Sequence, residues 1–96
     1  MTINFESIHN HHEDGVYRDV LDLSVGYPAI AANPDLLADV ACVALNNLPA
    51  RYIRHAIDLS FYMTEKERAK SELAVRAAVE HAFEFVQSRM DRRTRA

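Results

Sequence analysis

The chain has few of the residues that interrupt helices or cross-link a fold. Its 96 residues include two glycines, three prolines, one cysteine and no tryptophan. The lone cysteine, Cys42, has no partner for an internal disulfide. So few glycines and prolines leave little room for long loops or many turns, and the composition therefore favours helices.

The sequence also lacks an excess of positive charge and any long apolar run. Its formal charge is -3, which argues against DNA binding because contact with phosphates requires a basic surface. No stretch approaches the roughly 18 to 20 apolar residues that cross a bilayer, so we expect no membrane insertion. The first residues show neither a basic leader nor the apolar core of a signal peptide, which predicts a cytoplasmic protein.

The length of the chain predicts one domain over residues 1–96, because domains usually have about 50 to 250 residues. A chain this short buries only about 60 to 65% of the surface that its unfolded form exposes. Its core is therefore thin, and a second copy would add useful burial. We expect a homodimer.

Helical periodicity is clear in the first half of the chain. Apolar residues at steps of three, four and eight predict a first helix over residues 5–23. Residues 24–33 contain a glycine, a proline and many small side chains, and are predicted to form a connection. Asn33 can then cap a second helix in which Pro34 suits the first position. This helix is predicted to end near Asn46.

The second half begins with a different pattern. Apolar residues occupy the odd positions of residues 53–63, and a period of two predicts a strand, paired with a second copy or with a short piece elsewhere in the chain. Thr64 and Glu67 form a capping box that opens a long third helix. The predicted fold is mainly α: a small domain of about three main helices with a short extended segment.

Patterns typical of catalysis are absent. The sequence has no Ser-His-Asp arrangement, no Gly-rich phosphate loop and no paired-cysteine motif. His9, His12 and Glu13 could be considered a metal-assisted hydrolytic site, but adjacent helix positions diverge by about 100° whereas metal ligands must converge. We expect no enzyme, no metal and no cofactor. Cys42 has no basic neighbour one turn away and is interpreted as a small core residue.

The exit of the second helix is rich in groups that can bind a nucleotide. Six residues are predicted as ligand-binding: Asn46, Asn47, Arg51, Tyr52, Arg54 and Asp58. Guanidiniums match phosphate oxygens or the O6/N7 edge of guanine, and a carboxylate can accept from the amide edge of guanine. In the alternative interpretation the two asparagines cap the helix, Tyr52 fills the core and the arginines are solvated.

The same segment carries a family resemblance. Residues 39–52 resemble the signature of the late-competence-development (ComFB) family, an acidic-hydrophobic helix that ends in Ala-Leu-Asn-x-Leu-Pro-Pro-x-Tyr. Residues 8–13 resemble the Asn-Tyr-x-Glu start of the family's first helix, and residues 53–63 resemble a proteobacterial variant. Ala50 stands where the signature has its second proline. The cysteines that some Gram-positive members use for a zinc site are missing.

The resemblance implies a dimeric, mainly helical regulatory protein linked to competence, motility or biofilm control. Some members of the family are receptors for cyclic di-GMP. Carried to this chain, that role would place Arg51 and Arg54 on phosphate or guanine, Tyr52 as a stacking wall and Asp58 on the guanine N1/N2 edge. The alternative is a protein-interaction adaptor without a nucleotide ligand, in which the basic residues 89–95 contact an unidentified regulatory protein.

Overall fold

A computed structural model describes residues 2–55, 57, 59, 61 and 63–95, with the backbone alone for residues 94 and 95. The fold is mainly helical, as predicted. Its elements in chain order are β1 (His9–Asn10), α1 (Glu13–Leu23), α2 (Pro28–Ala31), α3 (Pro34–Asn46), β2 (Tyr52–Ile53) and α4 (Glu65–Arg95). The two short strands pair antiparallel, with Asn10 opposite Tyr52.

The first helix is shorter than its periodicity predicted. Residues Phe5–Ser7 form a single 3-10 turn, and α1 begins only at Glu13. Asn10 explains the break, because its side-chain oxygen accepts the N–H of His12 at 3.2 Å and turns the chain between β1 and α1. Phe5 is 71% exposed, so the apolar spacing before residue 13 does not mark a buried face.

The connection after α1 is more ordered than expected. It contains a 3-10 turn, Ser24–Gly26, and the short helix α2, which begins with Pro28. Proline is tolerated in a first helical turn because its missing N–H has no partner there. Ile30 is fully buried and anchors this connection in the core. Residues 24–33 therefore form the predicted connection, but this connection contains a short helix.

Helix α3 has the bounds that its capping signals predicted. The Asn33 side chain accepts the N–H of Asp35 at 3.0 Å, and Pro34 occupies the first position. Val40, Ala41 and Ala44 form its buried face. Cys42 lies on the opposite side and is exposed, so its interpretation as a core residue was wrong. Two neighbours on a helix diverge by about 100°, which puts Cys42 outside although Ala41 is inside.

The strand predicted over residues 53–63 was wrong for most of its length. Strand β2 ends at Ile53, whereas Ile57 and Leu59 are helical. The N–H of Met63 donates to the carbonyl of Leu59 at 3.0 Å, a bond of helical spacing. The partner of β2 is a short piece of the same chain, β1, which was one of the two predicted possibilities.

Helix α4 is the long helix expected after the capping box, and the Thr64 hydroxyl accepts the N–H of Glu67 at 3.1 Å. It packs against α1 and α3. Its buried stripe repeats at helical spacing and consists of Val75, Val79, Ala82, Phe83 and Val86. The ring of Phe83 stacks on Tyr27, with 4.7 Å between ring centroids, and ties the connection after α1 to the centre of the core.

One ion pair joins α1 to α4 at the edge of the core. Asp19 is 5% exposed, and its Oδ1 lies 3.5 Å from Nη1 of Arg76. The same guanidinium nitrogen is 3.8 Å from Oδ2 of Asp22.

Among the helices of the described residues, none combines the length and the apolar character that crossing a bilayer requires.

Candidate ligand-binding site

The turn after α3 is held by its two asparagines. Asn46 is the last helical residue, and the N–H of Asn47 donates to the carbonyls of Ala44 and Leu45. The Asn47 side chain donates to the carbonyl of Val43 at 3.0 Å. Asn47 has a φ of −97°, so the helix ends without a left-handed cap residue. The Asn47 side chain therefore serves the helix end, as the alternative interpretation proposed for the two asparagines.

The two-stranded ribbon positions the chain that follows this turn. Oδ1 of Asn10 accepts the N–H of Arg51 at 3.3 Å, in addition to that of His12. The carbonyl of Arg51 accepts the N–H of His11 at 2.7 Å. Arg51 and His11 thus lie side by side at the end of the ribbon, although forty positions of sequence separate them.

A cleft lies between this end of the ribbon and the first turns of α4. We call it the ribbon cleft; its volume is about 430 Å³, within the usual range for small-ligand sites. Its polar lining residues are His11, His12, Arg51, Glu67, Lys70 and Ser71. Apolar walls come from the turn after α3 and from Met63. A second cleft of about 270 Å³ shares His11, His12, Met63 and Ser71 with it.

The second cleft extends the site towards α1. Its additional charged lining residues are Asp14, Arg18, Arg68 and Glu72. Each of the two clefts therefore mixes basic and acidic groups: two cations and one carboxylate line the ribbon cleft, and two of each line the second cleft. Such a lining favours an anion that also offers hydrogen-bond donors, because phosphate oxygens and amide N–H groups would both find partners.

The two histidines of the site are half-buried. Burial lowers the pKa of His11 from its ordinary value, and the nearby charges of His12 and Arg51 lower it further. The His12 ring lies 5.3 Å from that of His11, and its Nδ1 is shielded from solvent without a hydrogen-bond partner among the described residues. An anion in the cleft would favour protonation of His11.

The described residues hold no group of three His, Cys, Asp or Glu side chains that could bind a metal ion. His9 sits in β1, where its Nδ1 contacts the carbonyl of Ser7 at 3.2 Å. The triad of His9, His12 and Glu13 considered for a metal site is thus divided between a strand and the start of a helix.

A comparison with known protein families bears on the part of the chain that contains both clefts. The model of the family described as late competence development protein ComFB matches residues 9–90. The chain belongs to the ComFB family. The match begins at β1 and ends near the close of α4, so both clefts lie within it. No curated protein and no solved structure matches the chain.

Within this ComFB domain the predicted site residues do not form one cluster. Arg51 lines the ribbon cleft, but Tyr52 and Arg54 are not among the described residues of its lining. Successive strand residues point to opposite faces, so Tyr52 faces away from Arg51. Tyr52 is 70% exposed, which rules out the alternative in which it fills the core. Asp58 lies outside the described residues.

Arg54 lies beyond β2 and is exposed. Its Nη2 is 3.4 Å from Nε2 of His55.

Sequence reasoning missed the cleft residues His11, Lys70 and Ser71 as partners of Arg51. A usable signal was present in part, because Arg51 follows one predicted helix and Lys70 lies in the second turn of the next. Nothing local placed β1 between them.

Proposed function

We propose that this ComFB-family protein is a cytoplasmic regulatory protein that binds cyclic di-GMP in the ribbon cleft. The observation that supports the proposal is the placement of Arg51 and Lys70 on opposite walls of one cleft, with His11 beside them. A planar guanidinium and a flexible ammonium are the two groups that proteins use most to bind phosphate. The proposed role is binding without catalysis, and it needs no cofactor.

The proposed contacts follow from the two walls. Arg51 and Lys70 bind phosphate oxygens, and Glu67 accepts from the N1/N2 edge of a guanine. Tyr52, on the outer face of the ribbon, offers a 70% exposed ring on which a second base can stack. Arg54 and Asp58 remain predicted contacts to the outer base, and Asn46 and Asn47 hold the turn from which Arg51 starts.

The symmetry of the ligand favours a homodimer. Cyclic di-GMP carries two equivalent guanines and two equivalent phosphates, and a two-fold pair of chains offers two equivalent clefts. An apolar groove of about 450 Å³ between α1 and α3 is a suitable contact surface. It is lined by Tyr17 and Leu21, which are 48% and 66% exposed, and by Leu37 and Leu45. We propose that a second copy covers it.

Isothermal titration with cyclic di-GMP tests the binding proposal, with GMP and cyclic di-AMP as comparison ligands. We expect selective binding that Arg51→Ala and Lys70→Ala each weaken by roughly 10-fold or more, the usual cost of losing one charge-assisted phosphate contact. Arg51→Ala combined with Arg54→Ala should weaken it further. Arg92→Ala, an exposed arginine at the other end of α4, is the matched control. Unchanged affinity in the Arg51 and Lys70 variants would disprove the site.

A second candidate function is a protein-interaction adaptor that takes no nucleotide. Large apolar side chains on the segment after β2 favour it, since Ile57 is 64% and Phe61 is 78% exposed. The absence of heat and of a thermal shift at saturating cyclic di-GMP would support this role. Binding of a regulatory protein that Phe61→Ser abolishes, without effect of Arg51→Ala, would establish it.

A further inference from the structure

A second groove, distant from the ribbon cleft, lies between α3 and the C-terminal half of α4. We call it the α3–α4 groove; its volume is about 310 Å³. Its apolar lining includes Leu36, Val43, Phe85 and Val86, and its rim carries Arg89 and Arg93. The groove is therefore an apolar trough with cations along one side. The cationic side belongs to α4, and the opposite side belongs to α3.

The two rim arginines, and Arg92 beside them, have no ion-pair partner among the residues that the structure describes. No ion pair within 4.0 Å joins Arg89, Arg92 or Arg93 to a carboxylate of the described residues. Arg89 lies over the Phe85 ring, with its Cζ 5.8 Å from the ring centroid. The nearest carboxylate in sequence, Asp91, accepts instead from the Gln87 side chain at 3.1 Å. Asp39 is the one acidic residue in the described lining.

Arginines near a helix C-terminus also complement the helix dipole, which is worth about 0.3 to 1 kcal/mol. That effect does not require the arginines to line a groove. Arg89 and Arg93 are four positions apart and share a face, and Phe85 stands one further turn back on the same face. An exposed aromatic ring, apolar side chains and guanidiniums that form no ion pair with a described residue are, on one surface, the composition that protein interfaces favour.

We infer that the α3–α4 groove docks an amphipathic helix of a partner protein, with apolar anchors in the trough and acidic side chains against Arg89, Arg92 and Arg93. Charge complementarity carries the choice of occupant. The protein as a whole has a formal charge of -3, so this cationic rim is a local feature that attracts an acidic segment. Apolar anchors at helical spacing fit a trough between two helices.

Nucleic acid fits this surface less well. Single-stranded nucleic acid needs open aromatic rings on which bases stack, whereas the Phe85 ring is 40% exposed and Arg89 lies over it. The trough also carries the carboxylate of Asp39, which repels phosphates but leaves apolar anchors unaffected. The arginines lie roughly 28 Å along α4 from Lys70, at 1.5 Å per residue, so the groove is independent of the ribbon cleft.

Selection from a displayed library of random peptides tests the inference. Peptides of about 16 residues, or roughly four helical turns, are selected on the full chain. We expect the enriched peptides to combine apolar residues at helical spacing with glutamate or aspartate. Synthetic copies should lose roughly 10-fold or more of their affinity for Arg89→Gln/Arg93→Gln, and should weaken as ionic strength rises.

The matched control is Lys66→Gln/Arg68→Gln, which removes the same charge from the other end of α4 and should leave peptide affinity unchanged. Enriched peptides without acidic residues, equal binding to both double variants, or recovery of no peptide would overturn the inference. So would tighter binding of a random single-stranded oligonucleotide or of anionic vesicles at the same arginines. Loss of self-association in Arg89→Gln/Arg93→Gln, measured by sedimentation equilibrium, would assign the groove to a second copy and overturn it too.

Discussion

The side-chain oxygen of Asn10 accepts the backbone N–H of Arg51 at 3.3 Å and fixes the turn after α3 against the start of α1. The same oxygen accepts the N–H of His12 at 3.2 Å, so one amide organises the ribbon wall of the cleft. Local order on one side of the cleft therefore depends on a contact between residues 41 positions apart.

Asn10→Ala is expected to lower the free energy of unfolding by about 1 to 2 kcal/mol, because two N–H groups lose their acceptor. It should also weaken binding in the ribbon cleft, since the position of Arg51 is released. Asn10→Asp keeps the acceptor oxygen and should retain most of the stability. Chemical denaturation of the three proteins is the measurement. Equal stability of the alanine and aspartate variants would show that the two hydrogen bonds contribute nothing.

The pair of Asp19 and Arg76 supports a second prediction. Arg76→Ala leaves a carboxylate whose side chain is 7% exposed without its nearest cation. Since the Arg76 side chain is itself 44% exposed, we expect a loss of about 1 to 3 kcal/mol rather than the larger cost of a fully buried pair. Denaturant unfolding measures it.

Arg18→Ala is the matched control for this pair. Its Nε lies 3.8 Å from the same oxygen of Asp19, but its side chain is 66% exposed, so removal should change stability by less than about 0.5 kcal/mol. Combining Arg76→Ala with Asp19→Asn should cost less than the sum of the single changes, because a neutral amide no longer needs the cation. Strict additivity would contradict the proposed coupling.

Sequence reasoning succeeded where a signal is local. The bounds of α3 and the start of α4 depend on Asn33, Pro34 and Thr64, each of which acts on backbone within three residues. These contacts form whatever the rest of the chain does, so a short window of sequence contains them.

The errors come from contacts that a short window cannot contain. The break before α1 depends on β1, whose partner lies more than forty residues away. The period of two in residues 53–63 does not mark one buried face of a strand. Leu59 is 5% exposed, whereas Ile57 and Phe61 are 64% and 78% exposed. Apolar residues on one face of a buried strand would be shielded together.

The lining of the candidate site could be predicted only in part. Arg51 was proposed from its own chemistry, and it lines the ribbon cleft. Tyr52 was grouped with it because the two are adjacent in sequence, although adjacency in an extended segment puts side chains on opposite faces. His11 and Lys70 come from elements on either side of Arg51, and only the tertiary fold brings them to one cleft.

The Thr64 hydroxyl supports a third prediction, because it caps α4 directly beside the clefts. Thr64→Ala should lower stability by about 1 kcal/mol, the usual cost of losing a helix cap, and Thr64→Ser should restore most of it. Met63, the preceding residue, lines both clefts, so fraying here should also weaken ligand binding. Thermal unfolding and titration of the two variants measure these effects. Serine as poor as alanine would show that the hydroxyl is not the cap.

The lowered pKa of His11 predicts how stability depends on pH. Burial, His12 and Arg51 hold this pKa below its ordinary value, so the unfolded chain binds a proton at His11 more readily than the folded chain. The neutral form stabilises the fold fully above the ordinary pKa, and this contribution is lost as the pH falls below it. The denaturation midpoint should therefore decrease as the pH is lowered from about 7.5 to about 5.5. The decrease should be smaller in His11→Asn.

His81→Asn separates this effect from general acid titration, because His81 is exposed on α4 and lines neither cleft. It should leave the pH dependence of the midpoint as in the unchanged protein. A bound anion acts in the opposite direction, because its negative charge raises the pKa of His11 and favours the protonated form. Affinity for cyclic di-GMP should therefore rise as the pH falls through the same range. Titrations at several pH values in His11→Asn should lose that rise. If the unchanged protein and His11→Asn show the same pH dependence of both stability and affinity, His11 is not part of the site.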